Sequence, residues 1–233
     1  MRKRLLSFLL LAGLWGSLAQ EDLERKAFVF PEASKTAYVV LETTLKQPLT
    51  GFTLCMRFYT ELTRGYSLFS YASRRSANEI LLFAEKPNQY SFTLGDRAVI
   101  FNVPEKMNTN PFGRQICASW ESATGLVELW VNGQPMVRKS LKKGHSVSTE
   151  ASIILGQEQD SFGGRFEITQ SFVGEILDLY MWDRVLSPDE VGWAWFNGDV
   201  PGNVINWKSL SYKSHGEVFV KPALSSFYRA VGG

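Results

Sequence analysis

A dense polar segment, Gly156-Gln157-Glu158-Gln159-Asp160-Ser161-Phe162-Gly163-Gly164-Arg165-Phe166-Glu167-Ile168-Thr169-Gln170, carries the side chains best suited to hold a metal. It offers three carboxylates, Glu158, Asp160 and Glu167, with several amide oxygens on a glycine-containing stretch. Calcium takes roughly six to eight oxygens and mixes carboxylates with carbonyls. Glu158 and Asp160 stand two apart, so in extended chain they point the same way, and Gln159 presents its backbone carbonyl between them. The spacing is not that of an EF-hand. Composition alone also describes a solvated acidic loop.

Material for catalysis is sparse. The chain has two histidines, His145 and His215, each in a polar, loop-like stretch, and two cysteines. No Gly-x-Ser-x-Gly, phosphate loop or clustered Cys/His ligand set is present. Carboxylate pairs would still suit a glycosidase on a jelly-roll scaffold, so that reading stays open, but the expectation is a protein that is not an enzyme.

The elements that must position the polar segment are short strands. Tyr90-Ser91-Phe92-Thr93-Leu94 alternates apolar and polar residues and turns at Gly95-Asp96. Leu126-Val127-Glu128-Leu129-Trp130-Val131 leads into Asn132-Gly133, a hairpin signal because both turn positions tolerate positive φ. Val99-Ile100-Phe101-Asn102-Val103 and Ser152-Ile153-Ile154-Leu155 are further strands. Many strands without interleaved helices predict a sandwich or barrel. One segment differs. Ser187-Pro188-Asp189-Glu190 sets an N-cap, a first-turn proline and a capping-box glutamate in register. The helix is predicted to run through Val191, Trp193, Ala194, Trp195 and Phe196 and to stop at Asn197-Gly198.

The beginning of the chain reads as an export signal: Arg2, Lys3 and Arg4, an apolar run from Leu5 to Leu14, then Ser17-Leu18-Ala19. Cleavage is expected after Ala19, leaving 214 of the 233 residues. It removes three of the 25 basic residues and none of the 23 acidic ones, so the formal charge passes from +2 to −1. No basic patch then points to nucleic acid, and no apolar run is long enough for a membrane span. Residues 20–224 form one domain and 225–233 a tail that has lost periodicity. Cys55 and Cys117, each in a strand-like run of an exported chain, are expected to pair.

The polar segment resembles the calcium loop of the short pentraxin family. So do Arg25-Lys26-Ala27-Phe28-Val29-Phe30-Pro31, Arg64-Gly65-Tyr66-Ser67-Leu68-Phe69-Ser70-Tyr71, Arg138-Lys139-Ser140-Leu141-Lys142-Lys143-Gly144 and Met181-Trp182-Asp183. The resemblance implies an all-β, flattened jelly-roll, lectin-like sandwich with one long α-helix, assembled as a homopentamer. It implies two calcium ions per subunit: Asn78, Glu158, the Gln159 carbonyl and Asp160 on the first, and Glu158, Asp160, Glu167 and Gln170 on the second. Phe83 and Thr93 match residues that line a phosphocholine slot. The function implied is a secreted, calcium-dependent pattern-recognition protein of innate immunity and the acute phase. It would bind phosphate-bearing or anionic ligands on microbes or damaged cells, with complement or Fc receptors as further partners.

Four departures qualify this. Gln115 stands where the family signature has histidine. Ala77 replaces the aspartate beside Asn78, which weakens the first calcium site, and Glu79 would face away in a strand. Ala98 stands where the family has the acid that faces choline, with Asp96 a substitute if the Gly95 turn brings it over the slot. Asn132 and Trp195 replace an aspartate and a tyrosine tied to complement engagement. The rival reading is a structural or carrier pentraxin that keeps the ring with a weakened calcium site and an altered ligand.

Overall fold

A computed structural model describes residues 22–43, 45–107, 113–196 and 200–224. The expected signal segment, the Asn197-Gly198 helix stop and the C-terminal tail lie outside these residues.

The strands are β1 (Lys26–Phe30), β2 (Tyr38–Glu42), β3 (Gly51–Tyr59), β4 (Tyr66–Ser73), β5 (Ile80–Lys86), β6 (Gln89–Leu94), β7 (Arg97–Asn102) and β8 (Arg114–Glu121). They continue with β9 (Leu126–Val131), β10 (Gln134–Pro135), β11 (Lys139–Ser140), β12 (Ala151–Leu155) and β13 (Gly174–Trp182). The helix α1 (Pro188–Trp195) follows, then β14 (Ile205–Asn206), β15 (Ser211–His215) and β16 (Phe219–Pro222). They form two sheets. One runs β10-β9-β8-β3-β13-β1-β16, with β11 on β9 and β14 on β13; the other runs β15-β2-β12-β4-β5-β6-β7. This is the predicted sandwich. Each fully buried Phe, Tyr or Trp between the sheets, among them Phe28, Phe52, Phe69, Phe92 and Trp120, contributes roughly 1.5–3 kcal/mol.

Alternation along β3 assigns its two faces. Phe52, Leu54, Met56 and Phe58 enter the core between the sheets, while Cys55 joins Cys117, Trp182, Leu186 and Val191 in a second cluster under α1. Cys55 and Cys117 are directly opposed in the β3–β8 register and form the expected disulfide, with Cα atoms 4.1 Å apart. The helix is capped as read: Ser187 Oγ accepts from the Glu190 N–H at 3.3 Å, and the Ser187 N–H donates to Glu190 Oε2 at 2.9 Å. Arg184 grips the same carboxylate with two bonds of 2.8 and 2.5 Å. That guanidinium, with the Ser187 N–H, holds the Glu190 carboxyl down at about 2.

Two expectations need correction. The helix is eight residues long, with Phe196 as its C-cap, so it is not the long helix the resemblance implied. Short helices draw their stability from docking, and here the sheet supplies it: Gln115 Nε2 donates to the Ala194 carbonyl at 2.9 Å and Arg57 donates to the Trp195 carbonyl. His215 is not in a loop; it ends β15 and stacks on Tyr38 with ring centroids 4.5 Å apart.

Candidate calcium centre

The acidic segment follows β12 and crosses the outer face of the second sheet. Gly156 starts it at φ +85°, where a Cβ would lie 2.3 Å from Phe30 Cε1. Glycine is therefore required for both conformation and space. Gly156→Ala should lower the melting temperature by several degrees, through strain and overpacking of about 2 kcal/mol or more; an unchanged melt would show that the loop start is misplaced.

The glutamines anchor the loop. Gln157 Nε2 donates to the Ser34 and Ala37 carbonyls at 2.6 and 3.0 Å. Gln159 Nε2 donates to the Ser70 and Ser152 carbonyls, both at 3.0 Å, while its Oε1 accepts from the Gly163 N–H at 2.9 Å. Both residues are fully buried. With Gln157 and Gln159 turned inward, alternation presents Glu158 and Asp160 on the other side. At the far end of the loop, the Arg64 guanidinium donates to the carbonyls of Gly65, Thr169 and Ser171 at 2.8, 3.1 and 2.8 Å. Burial draws its pKa down. Glu167 precedes the short 3₁₀ turn Ile168–Gln170 in extended conformation, and its carboxylate makes no capping bond.

Among the buried side-chain acceptors that lack a hydrogen-bond partner, three belong to the expected ligand set, Asn78 Oδ1, Glu158 Oε2 and Gln170 Oε1, and Gln157 Oε1 is a further one in the same loop. Leaving such an atom unpaired costs about 1–3 kcal/mol. Glu158 is only 7% exposed. Its pKa is raised, first by burial and then by the negative charge of Asp160; a hydrogen bond from Asn78 opposes this, and Glu167 and Glu85 add to the rise. A divalent cation would relieve both the missing donors and the clustered charge, so the donor set fits calcium. Among the described residues no three His, Cys, Asp or Glu side chains form a metal cage by themselves; amide and carbonyl oxygens have to complete the shell.

Beside this centre, β5, β6 and β7 bring the expected slot residues to one outer face. Leu81, Thr93 and Ala98 share one row of the ladder, and Phe83, Ser91 and Ile100 the next. The Phe83 ring lies over Gly65, with Cε1 3.0 Å from where a Cβ would be. Ile100 is exposed. β6 does not show the half-buried pattern its alternation predicted: Ser91 and Thr93 are buried like their apolar neighbours. No carboxylate stands at Ala98. Asp96 Oδ1 accepts from the Asn78 N–H at 3.3 Å.

The Pentaxin family model matches residues 26–222. The chain belongs to the pentraxin family. It is 56% identical to human C-reactive protein over 95% of this chain and 99% of that one. It is 47% identical to mouse mucosal pentraxin over 96% of this chain and 99% of that one. In three dimensions it is similar to a heptameric SAP-like pentraxin from Limulus polyphemus, with a TM-score of 0.76 and 25% identity, covering 88% of this chain and 98% of the other.

Two departures in this pentraxin have structural causes. Asn132, at φ +50° in the β9–β10 turn, accepts from the Gln115 N–H at 2.9 Å and donates to the Met107 carbonyl at 2.8 Å. Trp195 packs over Gly133 and faces the Arg57 guanidinium, 5.5 Å from the ring centre. Sequence reading missed the Arg64 latch and the buried Glu79, whose carboxylate pairs with His145 Nε2 at 2.7 Å. Asn78 and Glu79 lie in the turn before β5 and not in a strand, so the alternation expected there does not apply; Glu79 is turned inward by its bonds to Ser73 and His145.

Proposed function

We propose that this pentraxin is a secreted recognition protein that takes calcium at Asn78, Glu158, the Gln159 carbonyl, Asp160, Glu167 and Gln170, and binds phosphate-bearing or anionic groups beside Phe83 and Thr93. The observation that carries the reading is the set of buried, donor-less oxygens on Asn78, Glu158 and Gln170, with Phe83 and Thr93 in neighbouring rows of the β5–β6 ladder. Bound calcium supplies the positive charge that attracts a phosphate. The protein's own residues align that charge with the slot: Gln157, Gln159 and Arg64 fix the loop, and β5–β7 fix Phe83 and Thr93. Each site is weak alone, and affinity arises from several copies on one face of a ring. The human relative supports an innate-immune role and the heptameric relative supports ring assembly. Light scattering should give about five subunit masses, or ten if rings stack; a stable monomer would refute the ring. Complement and Fc receptors are partners carried over from the resemblance, and no reaction is assigned.

Calorimetric titration of the mature protein with calcium tests the central claim. Two binding steps of unequal strength are expected, since Ala77 leaves three carboxylates for two divalent ions and fewer charged ligands lower affinity. Ala77→Asp should strengthen the weaker step; two tight, equal sites in the unsubstituted protein would contradict this. The carrier reading is favoured only by Ala77, and it predicts ligand binding that survives calcium removal.

Ligand choice gives a second test. Ala98 leaves nothing to pair with a quaternary ammonium, and an exposed contact of that kind is worth about 1 kcal/mol or less. Phosphocholine, phosphoethanolamine and a simple alkyl phosphate should therefore bind within a few-fold of each other in calcium. Ala98→Glu should raise the affinity for phosphocholine several-fold. Strong choline selectivity that the substitution leaves unchanged would mean the slot is wrongly placed.

A further inference from the structure

The buried Oδ1 of Asn78 serves a cation only if the turn joining β4 to β5 holds it still. That turn is gripped from two sides. On the inner side, Glu79, 3% exposed, is bonded to Ser73 Oγ at 2.9 Å and to His145 Nε2 at 2.7 Å. The same Ser73 Oγ accepts from the Arg75 and Ser76 N–H groups at 3.2 and 3.1 Å, closing the turn. On the outer side stands the β6–β7 turn. The Gly95 N–H donates to the Glu79 carbonyl at 3.0 Å, and the Asp96 N–H donates to the Asn78 carbonyl at 3.1 Å. Asp96 Oδ1 then accepts from the Asn78 N–H at 3.3 Å.

Asp96 thus holds both backbone polar groups of Asn78, one with its own amide and one with its carboxylate. It does so at φ +61°, a conformation that aspartate tolerates and glycine adopts freely. We propose that Asp96 is the positioning residue of the first calcium site: it fixes Asn78 against Glu158 at the place where Ala77 contributes no ligand. The proposal rests on the calcium reading above. It has a second consequence, because the turn that carries Asp96 is flanked by Thr93 and Ala98, which pair across β6 and β7. The Asn78 segment and the ligand slot therefore share one hairpin end, and loading the first ion orders the slot edge.

The test is a calcium titration of the mature protein by calorimetry, with calcium alone as the probe. Asp96→Gly removes the side-chain acceptor while keeping the left-handed turn, so the fold should survive. It should weaken the first site by about 3- to 10-fold, the loss expected for one hydrogen bond, and leave the second site unchanged. Asp96→Asn keeps an Oδ1 acceptor and should stay within about twofold of the original. Ala77→Asp in the Asp96→Gly background should restore most of the loss. The second site and an ion-free melting curve report on the fold in each variant. Unaltered affinity in Asp96→Gly would overturn the proposal, as would equal losses in the glycine and asparagine variants, which would assign the effect to charge alone. No calcium uptake by the unsubstituted protein would overturn the calcium reading itself, a result distinct from normal uptake with an inert Asp96.

Discussion

Glu158→Gln should remove calcium binding at both sites together, with a loss of at least two orders of magnitude in a calcium titration. Glu158 and Asp160 are shared by the two proposed ligand sets, and Glu158 is the buried one of the two, with an Oε2 that has no hydrogen-bond partner. Glutamine has nearly the same shape but no charge, and calcium sites are tuned chiefly by how many charged ligands they hold. The ion-free variant should be at least as stable as the original protein, because an amide carries less desolvation cost than a buried carboxylate. Loss of one step only, with the other intact, would show that Glu158 serves a single ion.

The raised pKa of Glu158 adds a dependence on pH. In the ion-free protein, burial and the Asp160 charge disfavour the ionised form. A carboxyl group whose folded pKa is raised costs stability above that pKa, and the cost is relieved as the pH falls through it. Calcium binds the ionised form, so it must displace the proton wherever Glu158 is partly protonated. Affinity should fall as the pH drops from neutrality into the window just above the ordinary glutamate range, and binding there should release protons. Calorimetry in buffers of different ionisation enthalpy measures that release; none across the window would place Glu158 outside the shell.

The disulfide gives the other large effect. Replacing Cys55 and Cys117 together by alanine should lower the unfolding free energy by roughly 2–5 kcal/mol. The chain-entropy model gives about 4 kcal/mol for the 62-residue separation. For a domain of this size the melting temperature should fall by about 2–4 °C per kcal/mol, compared at a fixed subunit concentration because assembly would also shift it. The damage should centre on the helix face. Both sulfurs sit in the cluster with Trp182, Leu186 and Val191, so the tryptophan emission should shift before the strands melt. In the native protein, intact-mass analysis should show a two-proton gain on reduction and no alkylatable thiol. Two free thiols, or a double variant that melts with the original, would refute the pairing as a structural element.

The sequence by itself determined whatever depends on near neighbours. The strand runs of β3, β8 and β9, the Asn132-Gly133 turn and the Ser187-Pro188-Asp189-Glu190 cap are local codes, because strand composition, turn chemistry and helix capping involve residues a few positions apart. The spacing of Glu158 and Asp160 placed them on one side of the loop for the same reason. With one pair of cysteines in strand-like runs, the disulfide was legible too. Only the tertiary structure decided what meets across the fold. Ser91 and Thr93 on β6 are buried although their polarity and alternation predicted an exposed face. Arg64 reaches carbonyls more than 100 positions away, Gln115 reaches the end of α1, and Glu79 finds His145. Asp96, a substitute for the missing acid only if the Gly95 turn carried it over the slot, is bonded to Asn78 through its Oδ1. A side chain's polarity states that it needs a partner, but which partner is fixed by the register of distant strands and the path of the loop between them, and no local pattern encodes either.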